Sequence, residues 1–177
     1  FNGAGNATVT GVISGGGGLT KNNDGTLILS AANTYGNETR VNAGTLQLGN
    51  AQALGATATA NAILTGIGAL STNGLAVSVN SIAGSSNTIL QNNNASTAAT
   101  LTVTPGPNAV SAFAGTVRNG AAGTMAITVN SIFGGGLTLS GNNTQTGATT
   151  LTQGRLNVNS NTALGTGALT LTAGTID

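Results

Sequence analysis

A long internal repeat is the feature that most constrains the fold of this chain. The stretch from Leu27 to Gly55 returns 110 residues later, without a gap, as Leu137 to Gly165. The identical positions are Leu27/Leu137, Leu29/Leu139, Ser30/Ser140, Asn33/Asn143, Thr34/Thr144, Thr39/Thr149, Gly44/Gly154, Leu46/Leu156, Ala53/Ala163, Leu54/Leu164 and Gly55/Gly165. Such a repeat has to be interpreted first, because it defines the unit from which the fold is built. It predicts an architecture and specifies no chemistry.

The composition favours an ordered β protein. Hydrophobic residues reach 39% and the net charge is +1, whereas disordered chains combine low hydrophobicity with high net charge. The residues that favour helices, Glu, Lys and Arg, are scarce. Twenty-nine glycines and many Asn and Thr residues favour turns and short strands. The charged residues are Lys21, Asp24, Glu38, Arg40, Arg118, Arg155 and Asp177.

Several classes of function are excluded by the absence of residue types. The chain contains no Cys and no His, so disulfides, thiolate metal sites and Ser-His-Asp triads are impossible. No apolar run approaches the roughly 20 residues that a membrane-spanning helix needs. A net charge of +1 gives no basis for electrostatic capture of nucleic acid or of anionic lipid.

Short runs of alternating residues predict strands separated by tight corners. The clearest are Thr26–Leu29 and Thr45–Leu48, and longer runs extend over residues 7–13 and 75–82. Asp-Gly and Asn-rich steps supply the positive φ of tight turns. Pro is confined to edges, turns and bulges of sheets, so we place Pro105 and Pro107 at a corner or protruding loop.

These strands predict an all-β fold, a right-handed parallel β-helix (β-solenoid) of about seven to eight coils. The corners are one or two Gly or Asn residues, and 110 residues would span about five coils of about 22. Asn33/Asn143 and Thr34/Thr144 recur at matching places, which allows side chains to hydrogen-bond from coil to coil. Short strands at close spacing could also build a sandwich or a barrel.

The region Gly18–Leu48 closely resembles the autotransporter-associated β-strand repeat, also called the passenger-associated transport repeat. The resemblance returns from Gly136 to Val158, although Gln145 replaces Tyr35 and no counterpart of Lys21 is present. It implies an extracellular or surface-exposed parallel β-helix, as in adhesins and passenger stalks of very large bacterial proteins. The family has no catalytic motif, and none is implied for this chain.

Three functions are compatible with the sequence. The first is a structural rod that forms part of a surface fibre, stalk or passenger region. The second is an adhesin that displays Thr and Asn ladders to glycans. The third is a β-helical enzyme acting on polysaccharides, which needs two carboxyl groups about 5–10 Å apart, and only Asp24, Glu38 and Asp177 are available.

We therefore predict no catalytic, cofactor-binding or metal-binding residue, no cofactor, and no enzymatic activity. A calcium loop at Asn22–Gly25 is disfavoured because such loops need several acidic ligands and a distal Glu. The expected location is secreted or at the bacterial cell surface.

The domain organisation expected is one solenoid segment, residues 1–177, cut from a longer array. It consists of tandem cassettes at approximately 1–107 and 108–177, of which the second is incomplete. The ends of a solenoid expose unpaired strand edges that can template another chain. The expected partners are further solenoid repeats or identical subunits stacked end to end, and surface glycans. Nucleic acid and membrane insertion are not expected.

Overall fold

The computed structural model describes residues 1–56, 60–121, 123–132 and 134–177, and the regular structure within them is entirely β. The strands are β1 (Ala7–Val9), β2 (Leu19–Lys21), β3 (Thr26–Leu29), β4 (Thr39–Val41), β5 (Thr45–Leu48), β6 (Asn61–Leu64), β7 (Ala69–Ser71), β8 (Ala76–Val79), β9 (Ser81–Gly84), β10 (Ile89–Asn92), β11 (Ala99–Val103), β12 (Val110–Phe113), β13 (Thr116–Asn119), β14 (Met125–Asn130), β15 (Gly136–Leu139), β16 (Thr149–Gln153), β17 (Arg155–Val158), β18 (Leu169–Leu171) and β19 (Thr175–Ile176). Phe133 lies outside the described residues.

The strands form three parallel sheets that wrap around one core. Sheet I has the order β1-β3-β5-β7-β10-β13, sheet II has β2-β4-β6-β9-β12-β15-β17-β19, and sheet III has β8-β11-β14-β16-β18. The pairings between described strands are parallel, as in β3 with β5 and in β11 with β14. Sheet II contributes one strand to each turn, so its eight strands count about eight turns of a β-solenoid. The predicted parallel solenoid is confirmed.

Stretches between the strands also bond from turn to turn. Between β3 and β4, the backbone N–H groups of Thr34 and Gly36 donate to the carbonyl oxygens of Ile13 and Gly15, at 2.9 Å each. The first turns therefore use sheets I and II with an irregular third side. The middle turns use all three sheets, and the last turns use sheets II and III.

The two copies of the repeat lie on different faces of the solenoid. Strands β3 and β5 of the first copy belong to sheet I, whereas their counterparts β15 and β17 belong to sheet II. Likewise β4 lies in sheet II and its counterpart β16 in sheet III. From β3, four turns lead to β13, and β15 lies two faces further on. The 110 residues therefore span four turns plus two thirds of another, close to the expected five coils, and the incomplete turn places the two copies on different faces.

The core is made of rows of aliphatic side chains stacked in register. Along sheet I, Leu27 aligns with Leu46, Leu46 with Leu70, Leu70 with Leu90, and Leu90 with Val117. Each of these side chains is at most 1% exposed. Strand spacing of about 4.8 Å brings neighbours in a row into van der Waals contact. The row fills a narrow interior continuously from turn to turn.

Phe113 places a buried aromatic ring in this aliphatic interior, and a missing side chain makes room for it. In sheet II, Phe113 aligns with Gly84. A Cβ at position 84 would lie 2.3 Å from the Phe113 ring. Glycine at that position therefore permits an aromatic ring among rows of smaller residues.

The strand predictions differ from the structure mainly at corners. The predicted strands Thr26–Leu29 and Thr45–Leu48 match β3 and β5. The run 75–82 is divided into β8 and β9, which lie in different sheets, by a corner at Asn80. There the Asn80 N–H donates to Ala60 O at 2.7 Å and its side-chain amide donates to Asn61 at 3.2 Å. The run 7–13 is shorter than predicted, because β1 ends at Val9.

Candidate functional site

Two buried asparagines join consecutive turns through their side chains. The Asn33 Oδ1 accepts from the N–H of Ile13 at 2.8 Å, and its Nδ2 donates to Ala53 O at 2.7 Å. Both partners are 20 residues away, one in the turn before and one in the turn after. Asn143 repeats this arrangement with Val117 N at 2.7 Å and Ala163 O at 2.6 Å. These amides bond the backbone of neighbouring turns and do not stack on another asparagine side chain.

A true amide ladder lies at the corner that follows sheet II in the first turns. Asn22 Nδ2 donates to Asn2 Oδ1 at 2.6 Å, Asn42 Nδ2 donates to Asn22 Oδ1 at 2.7 Å, and Thr65 Oγ1 donates to Asn42 Oδ1 at 2.5 Å. We call Asn2, Asn22, Asn42 and Thr65 the corner ladder. Its members are exposed or half-buried. The sequence analysis placed Asn22 in a turn and missed the ladder. The signal that could have found it is the spacing of 20, 20 and 23 residues between successive members.

Lys21 is fully buried, and its ammonium is enclosed by backbone carbonyls. Nζ donates to Asn23 O, and to Asp24 O and Ala43 O at 3.4 Å each. Burial lowers the pKa of Lys21, and the Asp24 carboxylate offsets part of that shift. Gly25 closes this corner with a φ of 87°, as the Asp-Gly step predicts. The cation held at Asn22–Gly25 is therefore the chain's own ammonium.

The second copy of the repeat replaces this ammonium with a hydroxyl. Ser131, 110 residues after Lys21, is 1% exposed and donates from Oγ to Pro105 O at 2.8 Å. The two residues adjoin equivalent glycines, since a Cβ at Gly44 would meet Lys21 Nζ and one at Gly154 would meet Ser131 Cβ. A charge is thus not required at this corner.

A second difference between the copies concerns Tyr35 and Gln145. The Tyr35 hydroxyl shares a hydrogen bond of 2.5 Å with Thr39 Oγ1 and donates to Ala53 O at 3.4 Å. Burial raises the pKa of Tyr35, and the bond to Thr39 offsets part of the shift. Gln145 is also buried, and its Nε2 donates to Leu164 O at 3.0 Å. Within the described residues, its Oε1 and the Thr149 Oγ1 lack hydrogen-bond partners.

The acidic residues occupy separate places on the solenoid. Glu38 forms an ion pair with Arg40 at 2.5 Å, and Asp177 forms one with Arg155 at 3.3 Å. Asp24 lies at the exposed corner that encloses Lys21. The part of the chain that the structure describes contains no group of three acidic residues that could hold a metal ion. Nor do the described ranges include a helix that could cross a membrane.

A concave polar surface is formed where sheet I meets its next irregular turn. We call it the polar groove, and it is lined by Gln91, Asn93, Arg118, Asn119, Gly120 and Thr144, with a volume of about 370 Å³. Arg118 Nε donates to Gln91 Oε1 at 2.9 Å. Gln91 is 6% exposed, so the guanidinium rests on a buried amide. In the sequence Arg118 is an isolated basic residue, and no motif there identifies this surface.

The last turn exposes side chains that are buried one turn earlier. Leu169 and Leu171 in β18 are 39% and 58% exposed, whereas their register partners Thr149 and Leu151 are fully buried. Ile176 in β19 is 38% exposed, and its partner Leu156 is fully buried. The outer face of this last turn, which we call the terminal face of residues 1–177, is therefore apolar and carries open strand edges.

A family model supports the resemblance found in the sequence. The model of the passenger-associated-transport-repeat matches residues 19–48 and 134–158, which together make up just under one third of the chain. No curated protein and no solved structure matches the chain significantly. The matched segments contain the corner of Lys21, the buried Asn33 and Asn143, and strands from all three sheets. The model of the passenger-associated-transport-repeat thus matches two segments, residues 19–48 and 134–158, of a parallel β-solenoid.

Proposed function

We propose that this chain is a structural segment of an extracellular rod, part of the passenger region of a bacterial surface protein. The passenger repeat is characteristic of extracellular or surface-exposed proteins, and a β-solenoid is a rod by construction. Backbone hydrogen bonds and amide side chains link each turn to the next. Such a stack extends along one axis, although the sheets that form its sides change from turn to turn.

The observation that carries the proposal is the apolar, open-edged face of the last turn. Leu171 is 58% exposed where Leu151, one turn earlier, is fully buried. Covering this face with another turn would bury Leu169, Leu171 and Ile176 and pair the free edges of β18 and β19. The occupant we propose is a further coil of the same kind, supplied by more repeats or by an identical subunit.

The order of the faces is compatible with such continuation. The chain passes from sheet III to sheet II to sheet I in each complete turn, and β19 lies in sheet II. The face that follows is sheet I, where β1 lies, and β2 lies in sheet II. A second copy stacked on the last turn would thus present its first two strands in the correct order.

Association of the purified chain at high concentration tests the proposal. We expect linear assemblies in electron micrographs and concentration-dependent sedimentation. The double variant Leu171→Lys/Ile176→Lys should abolish both, because charges would be buried at the junction. Val110→Lys is the control, since Val110 is 53% exposed on β12, away from the terminal face. Assemblies that persist in the double variant would contradict end-to-end stacking.

An adhesin is the second candidate, and the exposed corner ladder is the observation that favours it. Asn22 and Asn42 each use one of their two side-chain N–H donors on the preceding Asn of the ladder, which leaves the other donor for sugar hydroxyls. A glycan array tests this function. The adhesin is supported if glycans bind saturably and if Asn22→Ala and Asn42→Ala reduce this binding. A passive rod would show no saturable binding.

The proposal assigns no catalytic role to Asp24, Glu38 or Asp177. Two of the three form ion pairs, and the third lies at a corner whose carbonyls bind Lys21. We expect Asp24→Asn and Glu38→Gln to leave the association of the chain into linear assemblies unchanged. If the parent chain cleaves a polysaccharide and either substitution abolishes that cleavage, this assignment is contradicted.

A further inference from the structure

We propose that the polar groove binds a carboxylated sugar, a uronic or sialic acid, and that Arg118 receives its carboxylate. This function goes beyond the structural role of the rod. It requires only the folded turns that contain β10, β13 and the segment 140–147.

The placement of charge favours an anionic ligand at this groove. Arg40 and Arg155 are neutralised by Glu38 and Asp177 at 2.5 and 3.3 Å, and Lys21 is enclosed by carbonyls. Within the described ranges, Arg118 is the cationic side chain that is exposed and has no acidic partner within 4 Å. The excess positive charge of the side chains, +1, can therefore be assigned to Arg118, which is exposed in the groove.

The orientation of the guanidinium favours a carboxylate. Arg118 Nε donates to Gln91 Oε1 at 2.9 Å, and Gln91 is held in place by its burial. This contact fixes one edge of the planar group and leaves its two terminal nitrogens for another acceptor. A carboxylate matches that pair of donors with two parallel hydrogen bonds, and preorganisation reduces the entropy lost on binding.

The polarity of the walls favours a sugar. Asn93 and Thr144 are exposed, and their side chains have no hydrogen bond to other described residues. Asn119 is fixed by bonds to Thr146 Oγ1 at 2.8 Å and from the Met125 N–H at 2.9 Å. Amides and hydroxyls around a cation suit the hydroxyl groups of a sugar ring. The volume of about 370 Å³ lies in the range of small-ligand sites, about 300–1,000 Å³.

A carboxylate fits the groove better than a phosphate does. A phosphate monoester carries about −1.5 to −2 charges near neutral pH, whereas Arg118 supplies a single positive charge. Phosphate sites usually add a helix N-terminus or a cluster of backbone N–H groups. The groove is lined instead by side-chain amides and a hydroxyl.

An NMR titration of the ¹⁵N-labelled chain tests the proposal with four probes: digalacturonate, sialyllactose, the methyl ester of digalacturonate, and sodium acetate. We expect shifts at the Arg118 Nε–H and at the side-chain amides of Gln91 and Asn93. One of the two acidic sugars should saturate with a dissociation constant of about 1 mM. Comparing these two probes identifies the class of acid. The ester and acetate should bind at least tenfold more weakly.

Substitutions of arginine provide the matched controls. Arg118→Gln should weaken binding at least tenfold, and Arg118→Lys should weaken it several-fold because a single ammonium cannot form the bidentate pair. Arg155→Gln, at an exposed and ion-paired arginine, should leave binding unchanged. Resonances outside the groove report whether each variant is folded.

Three outcomes would overturn the proposal. They are no saturable shift at the groove with either acidic sugar, equal binding of the ester or of acetate, and equal binding by Arg118→Gln.

Discussion

Asn33 and Asn143 show how single residues hold the turns of this molecule together. Each amide accepts from a backbone N–H in the turn before and donates to a carbonyl in the turn after. The same geometry recurs on a different face of the solenoid, since corresponding strands of the two copies lie in different sheets. The local clamp is therefore a property of the repeat and does not depend on the sheet beside it.

Removing one clamp should destabilise the protein strongly. Asn33→Ala leaves Ile13 N without its partner and Ala53 O with only the long bond from the Tyr35 hydroxyl, and an orphaned buried group costs about 1–3 kcal/mol. We expect the free energy of unfolding to fall by about 2–4 kcal/mol in guanidinium titrations. Asn159→Ala, at an exposed asparagine, is the control. A loss in Asn33→Ala no larger than that of the control would contradict the clamp.

The raised pKa of Tyr35 predicts that the free energy of unfolding falls at alkaline pH. The folded state raises the pKa of Tyr35, so its stabilising contribution is fully present below the unfolded pKa of about 10. That contribution is lost as the pH rises through the folded pKa. The chain has one tyrosine, so tyrosinate absorbance reports this group alone. We expect that absorbance to appear above a pH of about 10, and the denaturation midpoint to fall more in the parent chain than in Tyr35→Phe.

Lys21 acts in the opposite direction, because burial lowers its pKa and stability therefore rises with pH up to the unfolded value. Comparison with Tyr35→Phe removes this effect, which both proteins share. Identical pH profiles for the two proteins would show that Tyr35 does not titrate differently in the folded state.

At Gln145, introducing the residue found at the corresponding position of the first copy should stabilise the second copy. Gln145→Tyr should place a hydroxyl near Thr149 Oγ1, as Tyr35 does near Thr39, and Gly165 corresponds to the Gly55 that adjoins the Tyr35 ring. Pairing the Thr149 hydroxyl and removing the orphaned Gln145 Oε1 should stabilise the protein by about 1–3 kcal/mol. Gln145→Leu is the control, because it leaves Thr149 unpaired and should gain less. A lower melting temperature for Gln145→Tyr than for the parent would contradict the equivalence.

At the scale of the strands, stability depends on whether a row is covered at both ends. Leu151 is fully buried between Val129 and Leu171 in sheet III, whereas Leu171 is 58% exposed. Leu151→Ala should cost about 2–5 kcal/mol in the free energy of unfolding. Leu171→Ala should cost less than about 1 kcal/mol, because little of its surface is buried. Similar losses for the two variants in the same denaturant titration would show that the last turn is not open.

Alternation of apolar and polar residues predicts the bounds of a strand correctly where the alternation stops at a corner. It predicts them wrongly where the alternation continues through a corner. Thr26–Leu29 and Thr45–Leu48 are followed by residues that break the pattern, and the predicted bounds of both are correct. In the run 75–82 the alternation crosses the corner at Asn80, and periodicity cannot show that the chain changes sheets there. The turn is fixed by bonds to residues in the previous coil, which only the structure reveals.

The candidate site was less predictable than the fold. Gln91 and Arg118 are 27 residues apart and meet because β10 pairs with β13 in register. The number of residues per turn varies along the chain, so no fixed spacing in the sequence identifies this pair. The repeat did locate Tyr35 and Gln145 as counterparts, because it aligns without gaps. It could not show that Lys21 is buried.

At the scale of the whole molecule, eight turns spaced about 4.8 Å apart make a stack about 35 Å long. The repeat does not span a whole number of turns, so its two copies face different directions. The corner ladder and the polar groove lie at different heights of this stack, the ladder between Asn2 and Thr65 and the groove between Gln91 and Thr144. The core rows continue between them without interruption.

Distances between spin labels measured by pulsed electron paramagnetic resonance test the stack of turns most directly. The chain has no native Cys, so label pairs can be introduced without removing thiols. Thr20 lies in β2, and Ala112, Thr138 and Asn157 lie in β12, β15 and β17 of the same sheet. Their backbone separations from Thr20 should be about 19, 24 and 29 Å, an increase of about 5 Å per turn. Distances that do not grow in equal steps with the number of turns would contradict the solenoid and the rod built on it.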